Sequence, residues 1–320
     1  MPALAYIALG LLILWGLGHS KRSRPDATLV GRLHPYRRLM PYIMPGRNES
    51  VVYFDIYARA EPLLEYLARA EPAFGADVTQ CIVAAMCRTL SENPTMNRFV
   101  VGHRLYQRNE ISVTFSMKRK AGDASSKLAV VRTKLNPGED FRSLCHRINA
   151  EITVERSDAK TYADKEYGLL HRVPRPILRA GVGALRLLDY YNLLPASFIE
   201  NDAMYSSAFV ANLGTLGMDA GYHHLYEWGT CSLFLMGGKI EERAVVRDGK
   251  IVAEKILHMR ATYDERIDDG MTAGQGINVV THTLENPFEY LGCLQEDGSD
   301  ARPLDHGAPL ADKRSSSLAA

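Results

Sequence analysis

The sequence predicts one α/β domain, with strands mixed among helices, behind a single amino-terminal transmembrane helix. Three observations carry this. Strand-type runs rich in β-branched and aromatic residues are interleaved with runs whose apolar residues recur every three or four positions, in no regular strand-helix alternation. No internal repeat and no second-domain boundary interrupts residues 33–293. The stretch Pro2 to Gly18, PALAYIALGLLILWGLG, carries no charge across 17 residues.

That first stretch spans roughly 25 Å as a helix, enough for a hydrocarbon core with slight thinning. The charges that follow it, Lys21, Arg22 and Arg24, put the amino terminus outside and residues 21 onward in the cytoplasm by the positive-inside rule. A secretory signal would carry its charges ahead of the apolar run. Residues 1–20 are thus predicted as a single-pass membrane anchor through 2–18, and 21–32 as a polar linker.

The elements of the domain follow in order. Leu33–Met44, with its prolines, reads as too broken for a long helix; Ser50–Ala58, SVVYFDIYA, is a strand. EPLLEYLARAEP is a short helix closed by Pro72, and Asp77 is placed to cap the largely buried helix VTQCIVAAMCRTLSENP. Strand-like runs occupy Arg98–Arg119 and Ser126–Leu135. EDFRSLCHRINAEITVERSDAK places Phe141, Leu144, Cys145, Ile148 and Ile152 on one helical face. ILRAGVGALRLLDYYNLLP gives a second helix, with Arg175, Arg179 and Arg186 along it. Three closing strands, a hairpin turn at Asp248-Gly249 and a last helix end the domain, and 294–320 is polar enough to read as a disordered tail.

Composition bounds the function. With 46% hydrophobic and 23% charged residues the chain has ordinary globular composition, and 38 basic against 37 acidic residues leave no field to recruit nucleic acid. Five cysteines at 81, 87, 145, 231 and 293 form no CxxC pair and no disulfide framework, which fits a reducing compartment. No HxxxH or HExxH spacing accompanies His223-His224 or His258, so no metal site is expected.

The densest chemistry sits at Asp264-Glu265-Arg266-Ile267-Asp268-Asp269-Gly270, four carboxylates and one guanidinium between a strand and a helix. A strand, D-x-R-x-x-D-G, then a helix, preceded by NLGTLG and a DG hairpin, resembles the catalytic domain of the 2-oxo acid dehydrogenase acyltransferases and their relatives the chloramphenicol acetyltransferases. HPYRRLM, ADVTQCIVAAMCRTLSENPTMN, NEISVTFSM, FVANLGTLGMDA and TLENPFEYL are similar to family segments in the same order, so the resemblance covers Leu33 to Leu291. In the family the turn reads D-H-R-x-x-D-G or H-H-x-x-x-D-G. Asp264, Arg266, Asp269 and Gly270 match, and Glu265 stands where histidine is usual.

The resemblance implies a two-layer α/β sandwich with a mixed central sheet, a coenzyme A thioester as substrate, with no metal, and a site lying between subunits of a homotrimer. It implies a base at Glu265, a brace in which Asp269 pairs with an arginine, with Arg266 retained beside it, and an oxyanion donor in the NLG strand. There Ala211 replaces the serine common in relatives, leaving Asn212 and Ser207 as supports, with Ser206 and Thr215 nearby. A carboxylate is ordinarily about two pKa units less basic than imidazole, a deficit of roughly 3 kcal/mol toward a thiol. Strand alternation sets His258, Arg260, Thr262 and Asp264 on one face and Glu265 on the other. No lipoyl or subunit-binding module is expected in this chain. The expectation is a membrane-anchored acyltransferase; its alternative is a catalytically silent relative serving as a trimeric scaffold or regulatory partner. An added feature of either is lipid-surface binding through HSKRSR and the helix from Arg172 to Arg186.

Overall fold

The computed structural model describes residues 18–118, 128–156 and 173–305, with isolated positions 6, 10, 12, 15 and 16 ahead of them. In chain order the elements are β1 (Ala27–Leu29), α1 (Pro35–Ile43), β2 (Val51–Arg59), α2 (Glu61–Phe74), α3 (Val78–Glu92), β3 (Arg98–Val101), β4 (Arg104–Arg108), β5 (Ser112–Lys118) and β6 (Leu128–Lys134). There follow α4 (Phe141–Arg156), α5 (Arg175–Tyr190), α6 (Ala196–Asn201), β7 (Ala208–Asn212), β8 (Leu233–Arg247), β9 (Lys250–Asp264), α7 (Gly270–Glu285) and α8 (Pro287–Tyr290).

Six strands form the main sheet in the order β2-β9-β8-β7-β5-β6. β7 runs parallel to both its neighbours while every other pair is antiparallel, so the sheet is mixed. Alternation decides the faces. Ile56, Val113, Val210, Leu235, Leu257 and Met259 point into one core shared with α2, α3, α4 and α7, while Phe209, Phe234 and Met236 point the other way, under the coil bearing Ala220, Leu225 and Cys231. The helix layer packs closely: a Cβ at Gly276 of α7 would lie 2.5 Å from Met96 Sδ. A smaller antiparallel sheet, β1-β4-β3, stands beside the main one.

Local chemistry explains the boundaries. Asp77 accepts from Gln80 N at 2.7 Å and Gln80 Oε1 accepts from Asp77 N at 3.0 Å, a capping box that opens α3 as expected. Asp248 and Gly249 both have positive φ, the geometry of the two-residue turn joining β8 to β9. The proline-rich start forms only a short helix, α1, with Pro35 in its first turn and Pro41 inside it. Two expectations need correction. α2 runs through Pro72 to Phe74 and stops at Gly75 in the left-handed conformation. The linker and tail are shorter than read: β1 pairs with β4 and Arg24 is buried, while Leu304 enters the main core and its N–H donates to Glu139 O. The anchor expected over 2–18 lies largely outside the described residues, among which no helix is long and apolar enough to cross a membrane.

Candidate active site

β9 ends at Asp264, and three consecutive residues then turn the chain toward α7. Asp264 is fully buried and Arg266 nearly so. Arg266 grips Asp264 with a two-pronged guanidinium pair, Nε to Oδ1 at 2.9 Å and Nη2 to Oδ2 at 2.8 Å. Ser50 Oγ donates to the same Oδ1 at 2.9 Å, and Arg266 Nη1 donates to the carbonyls of Met44 and Pro45. A buried ion pair needs such extra partners to offset its desolvation. The carboxylate that Arg266 grips is therefore that of Asp264.

Asp269 is exposed and caps α7, accepting from Thr272 N at 3.0 Å. Asp268 supports the same cap, taking the N–H of Asp269 at 2.9 Å and the hydroxyl of Thr272 at 3.1 Å. Both carboxylates also sit where the helix dipole favours negative charge.

Glu265 is half-buried between these two anchors. Its N–H donates to Ser50 O at 3.0 Å, and its carbonyl accepts from Arg37 Nη1 at 2.8 Å. Arg37 also approaches Asp268 at 3.9 Å. The backbone of Glu265 is thus fixed from two sides, so its side chain projects from a rigid turn. Beneath it, burial pushes the Tyr263 phenol up, and its hydroxyl has no hydrogen-bond partner among the described residues. On the Arg266 side of the turn lies a cavity of about 360 Å³ bounded by Arg47, His103, Arg186, Glu227, Trp228 and Arg266. Arg47 is buried, which lowers its pKa, and its Nε lacks a partner among the described residues.

The expected oxyanion supports do not join Glu265 within this chain. Asn212 pairs across β8 with the level of Met259, five residues before Asp264, which places it roughly 17 Å back along the sheet. Its amide donates to Thr79 Oγ1 at 3.1 Å and accepts from Gly214 N at 2.9 Å. Ser207 is buried, and its Oγ accepts from Ser112 N at 3.0 Å, tying β7 to β5. Ser206 and Thr215 instead donate to backbone carbonyls, of Ala208 and Asn212.

A second polar cluster occupies the opposite half of the β9 face. Asp55 Oδ1 meets His258 Nε2 at 2.7 Å and Arg260 Nε at 2.8 Å, while Tyr222 donates to Oδ2 at 3.1 Å. Those bonds, Arg260 foremost, push the Asp55 carboxyl down to about 2. Tyr57 stacks on His258 at 4.6 Å, and Arg260 lies 3.9 Å over Tyr222. His223 stacks on Phe234 at 4.0 Å and burial lowers its pKa, so it sits as a packed ring on the covering coil. Among the described residues no group of three His, Cys, Asp or Glu is placed to hold a metal ion.

Comparison with known proteins agrees on the region of the turn. The family described as 2-oxoacid dehydrogenases acyltransferase (catalytic domain) matches residues 197–291. The dihydrolipoyllysine-residue acetyltransferase component of the pyruvate dehydrogenase complex of Bacillus subtilis (strain 168) is 42% identical over 175 residues, covering 51% of this chain and 35% of that protein. The chain thus spans about a third of that relative's length. A solved structure of a probable dihydrolipoamide acetyltransferase from Listeria monocytogenes 4b F2365 superposes with a TM-score of 0.51 at 15% identity, covering 80% of this chain and 94% of that one. A chloramphenicol acetyltransferase superposes with a TM-score of 0.50 at 14% identity, covering 81% and 99%. At such identities these two likenesses establish the fold, a mixed-sheet α/β domain.

Proposed function

We propose that this chain is an acyltransferase of the 2-oxo acid dehydrogenase type, taking an acyl group from a coenzyme A thioester with Glu265 as base. The observation that carries the reading is the placement of Glu265, half-exposed on a turn held by the Asp264–Arg266 pair, Ser50 and Arg37. The match over residues 197–291 supports it. In the proposed step the Glu265 carboxylate takes the proton of an acceptor thiol or hydroxyl. The freed sulfur or oxygen attacks the thioester carbonyl, and the tetrahedral oxyanion collapses with loss of the carrier thiolate. The proton on Glu265 then passes to that thiolate. The cavity beside Arg47, Arg186 and Arg266 offers guanidinium partners to the carrier's phosphates.

Because Asn212 lies far from Glu265 within one chain, this reading draws the oxyanion donor from a second copy, in a homotrimer. It also keeps residues 2–18 as a membrane anchor with the domain on the cytoplasmic side. Since Arg24 is buried against Asp189 and Asp26, Lys21 and Arg22 carry the charge asymmetry on which that orientation rests. A carboxyl-terminal reporter active only outside the cytoplasm would overturn the topology.

A second reading, a catalytically silent trimeric scaffold or regulatory partner, is favoured by one observation. Ala211 has no hydroxyl to offer, and the hydroxyls of Ser206 and Ser207 are held in backbone contacts. Purified full-length chain, incubated with a panel of acyl coenzyme A thioesters and a dithiol acceptor and followed by mass spectrometry, separates the two. Acyl-acceptor product supports the enzyme. Trimers that neither bind nor turn over any thioester support the scaffold.

A further inference from the structure

Two helices of this domain wear their apolar faces outward. On α1, Met40 and Pro41 point inward while Tyr36, Leu39, Tyr42 and Ile43 are exposed, Tyr42 and Ile43 at 64% and 57%. On α5 the half-buried positions Leu178, Val182, Leu185 and Asp189, four, three and four apart, face the body. The opposite side presents Ile177, Ala180, Ala184, Leu187 and Leu188, with Ile177 and Leu187 exposed at 62% and 58%. No residue of α5 is fully buried. An outward apolar face on one amphipathic helix is unusual; two that adjoin form a patch needing cover.

They do adjoin. His103, at the tip of the β3–β4 hairpin, stacks on Tyr42 at 4.6 Å and meets Tyr190 edge-on at 5.9 Å, joining the carboxyl ends of α1 and α5. The uncharged amino-terminal run delivers its end to the same place. His19 packs on Tyr191 at 5.1 Å and Tyr190 at 6.4 Å, Trp15 packs on His19 at 4.3 Å, and Arg104 donates to the carbonyls of His19 and Lys21.

Charge selects the occupant. On α5, Arg175, Arg179 and Arg186 fall within one narrow ridge between the side that faces the body and the apolar face at 100° per residue, and Arg186 borders the cavity. The helix's single acid, Asp189, is taken by Arg24 at 2.8 Å. Lys21 and Arg22, just after the run, and Arg38, on α1, are exposed. An apolar face with a basic ridge and tyrosines at its margin is the signature of a helix lying in a bilayer interface. We infer that α1 and α5 dock flat on an anionic membrane surface, beside the anchor proposed over residues 2–18. This goes beyond the acyl-transfer reading and does not depend on Glu265.

The test uses the full-length chain in vesicles of phosphatidylcholine with and without phosphatidylserine. The five native cysteines are buried, so an environment-sensitive fluorophore reports an introduced thiol in Leu187→Cys, Ile43→Cys or, as a control at the exposed hairpin tip, Ile251→Cys. The labels at 187 and 43 are expected to be quenched by brominated lipid and shielded from aqueous iodide, and the label at 251 to show the reverse. Combined Arg175→Gln and Arg179→Gln should weaken lipid contact at 187 on the order of tenfold or more in phosphatidylserine vesicles. Labels at 187 and 43 that remain open to iodide in both vesicles overturn the inference. So do labels shielded from both quenchers while cysteines at 187 cross-link between chains, which would give the patch to a second copy.

Discussion

Two charged clusters stand on the same face of β9, six residues apart, and they differ in what surrounds them. At the turn, Asp264 and Arg266 are sealed from water and every polar contact is internal. Around His258, the partner Asp55 keeps 34% of its side chain exposed and Tyr57 and Tyr222 lie open. The same ingredients, a carboxylate and a guanidinium, are thus used for two ends. Buried and fully bonded, the pair fixes a backbone; exposed, it organises a surface and contributes little to stability.

The largest effect that tests this contrast is Asp264→Ala. It leaves Arg266 buried without its partner and should cost about 3–5 kcal/mol, read as a lowered urea midpoint. A loss below about 1 kcal/mol would show that the turn is not held as described. Asp269→Ala removes the cap of α7, so the expected loss is about 1 kcal/mol, with the denaturant slope unchanged. A loss as large as that of Asp264→Ala would give Asp269 a bracing role of its own.

The exposed cluster should show itself in pH rather than in size. Its folded carboxyl titrates at about 2, below the ordinary value near 3.9, so Asp55 contributes stability above pH ~4 and loses it as pH falls through ~2. On an open face that contribution is about 1 kcal/mol or less. Asp55→Asn should therefore be slightly less stable than wild type at pH 6, with the gap closing by pH ~3 and below. A gap that is constant down to pH ~2 would mean that Asp55 acts by packing alone.

How much of this was legible in the sequence follows from the same contrast. Alternation on β9 correctly put His258, Arg260, Thr262 and Asp264 on one face, and Asp77 and Asp248-Gly249 announced a cap and a hairpin, because these signals are local. The partners of the turn were not local. Arg37, Ser50 and the carbonyls of Met44 and Pro45 come from more than 200 residues away, and no periodicity points to them. Asp55 was hidden for want of a register: only the pairing of β2 with β9 sets Asp55 opposite Arg260 and Tyr57 opposite His258. The partner of Arg266 is local, since Asp264 lies two residues away in the same turn.

The smallest effect on stability belongs to the residue with the largest proposed role. Glu265 is anchored through its N–H and its carbonyl, both of which survive Glu265→Gln, so the melting temperature should stay within the range of a surface substitution, about 0.5 kcal/mol. Gln cannot accept the acceptor's proton, and a general base ordinarily contributes on the order of a hundredfold or more. If the acyl-transfer reading holds, turnover of an accepted thioester falls by at least that factor while substrate binding, the fold and the Asp264–Arg266 lock remain. Glu265→His adds a sharper arm: on a turn already rigid it installs the imidazole that the sequence resemblance implies at this position. Transfer by that variant where wild type shows none would assign the wild-type chain to the silent scaffold, since the only missing part would then be the base. Equal turnover by Glu265→Gln and wild type would remove Glu265 from the chemistry and leave the turn as a purely structural junction between β9 and α7.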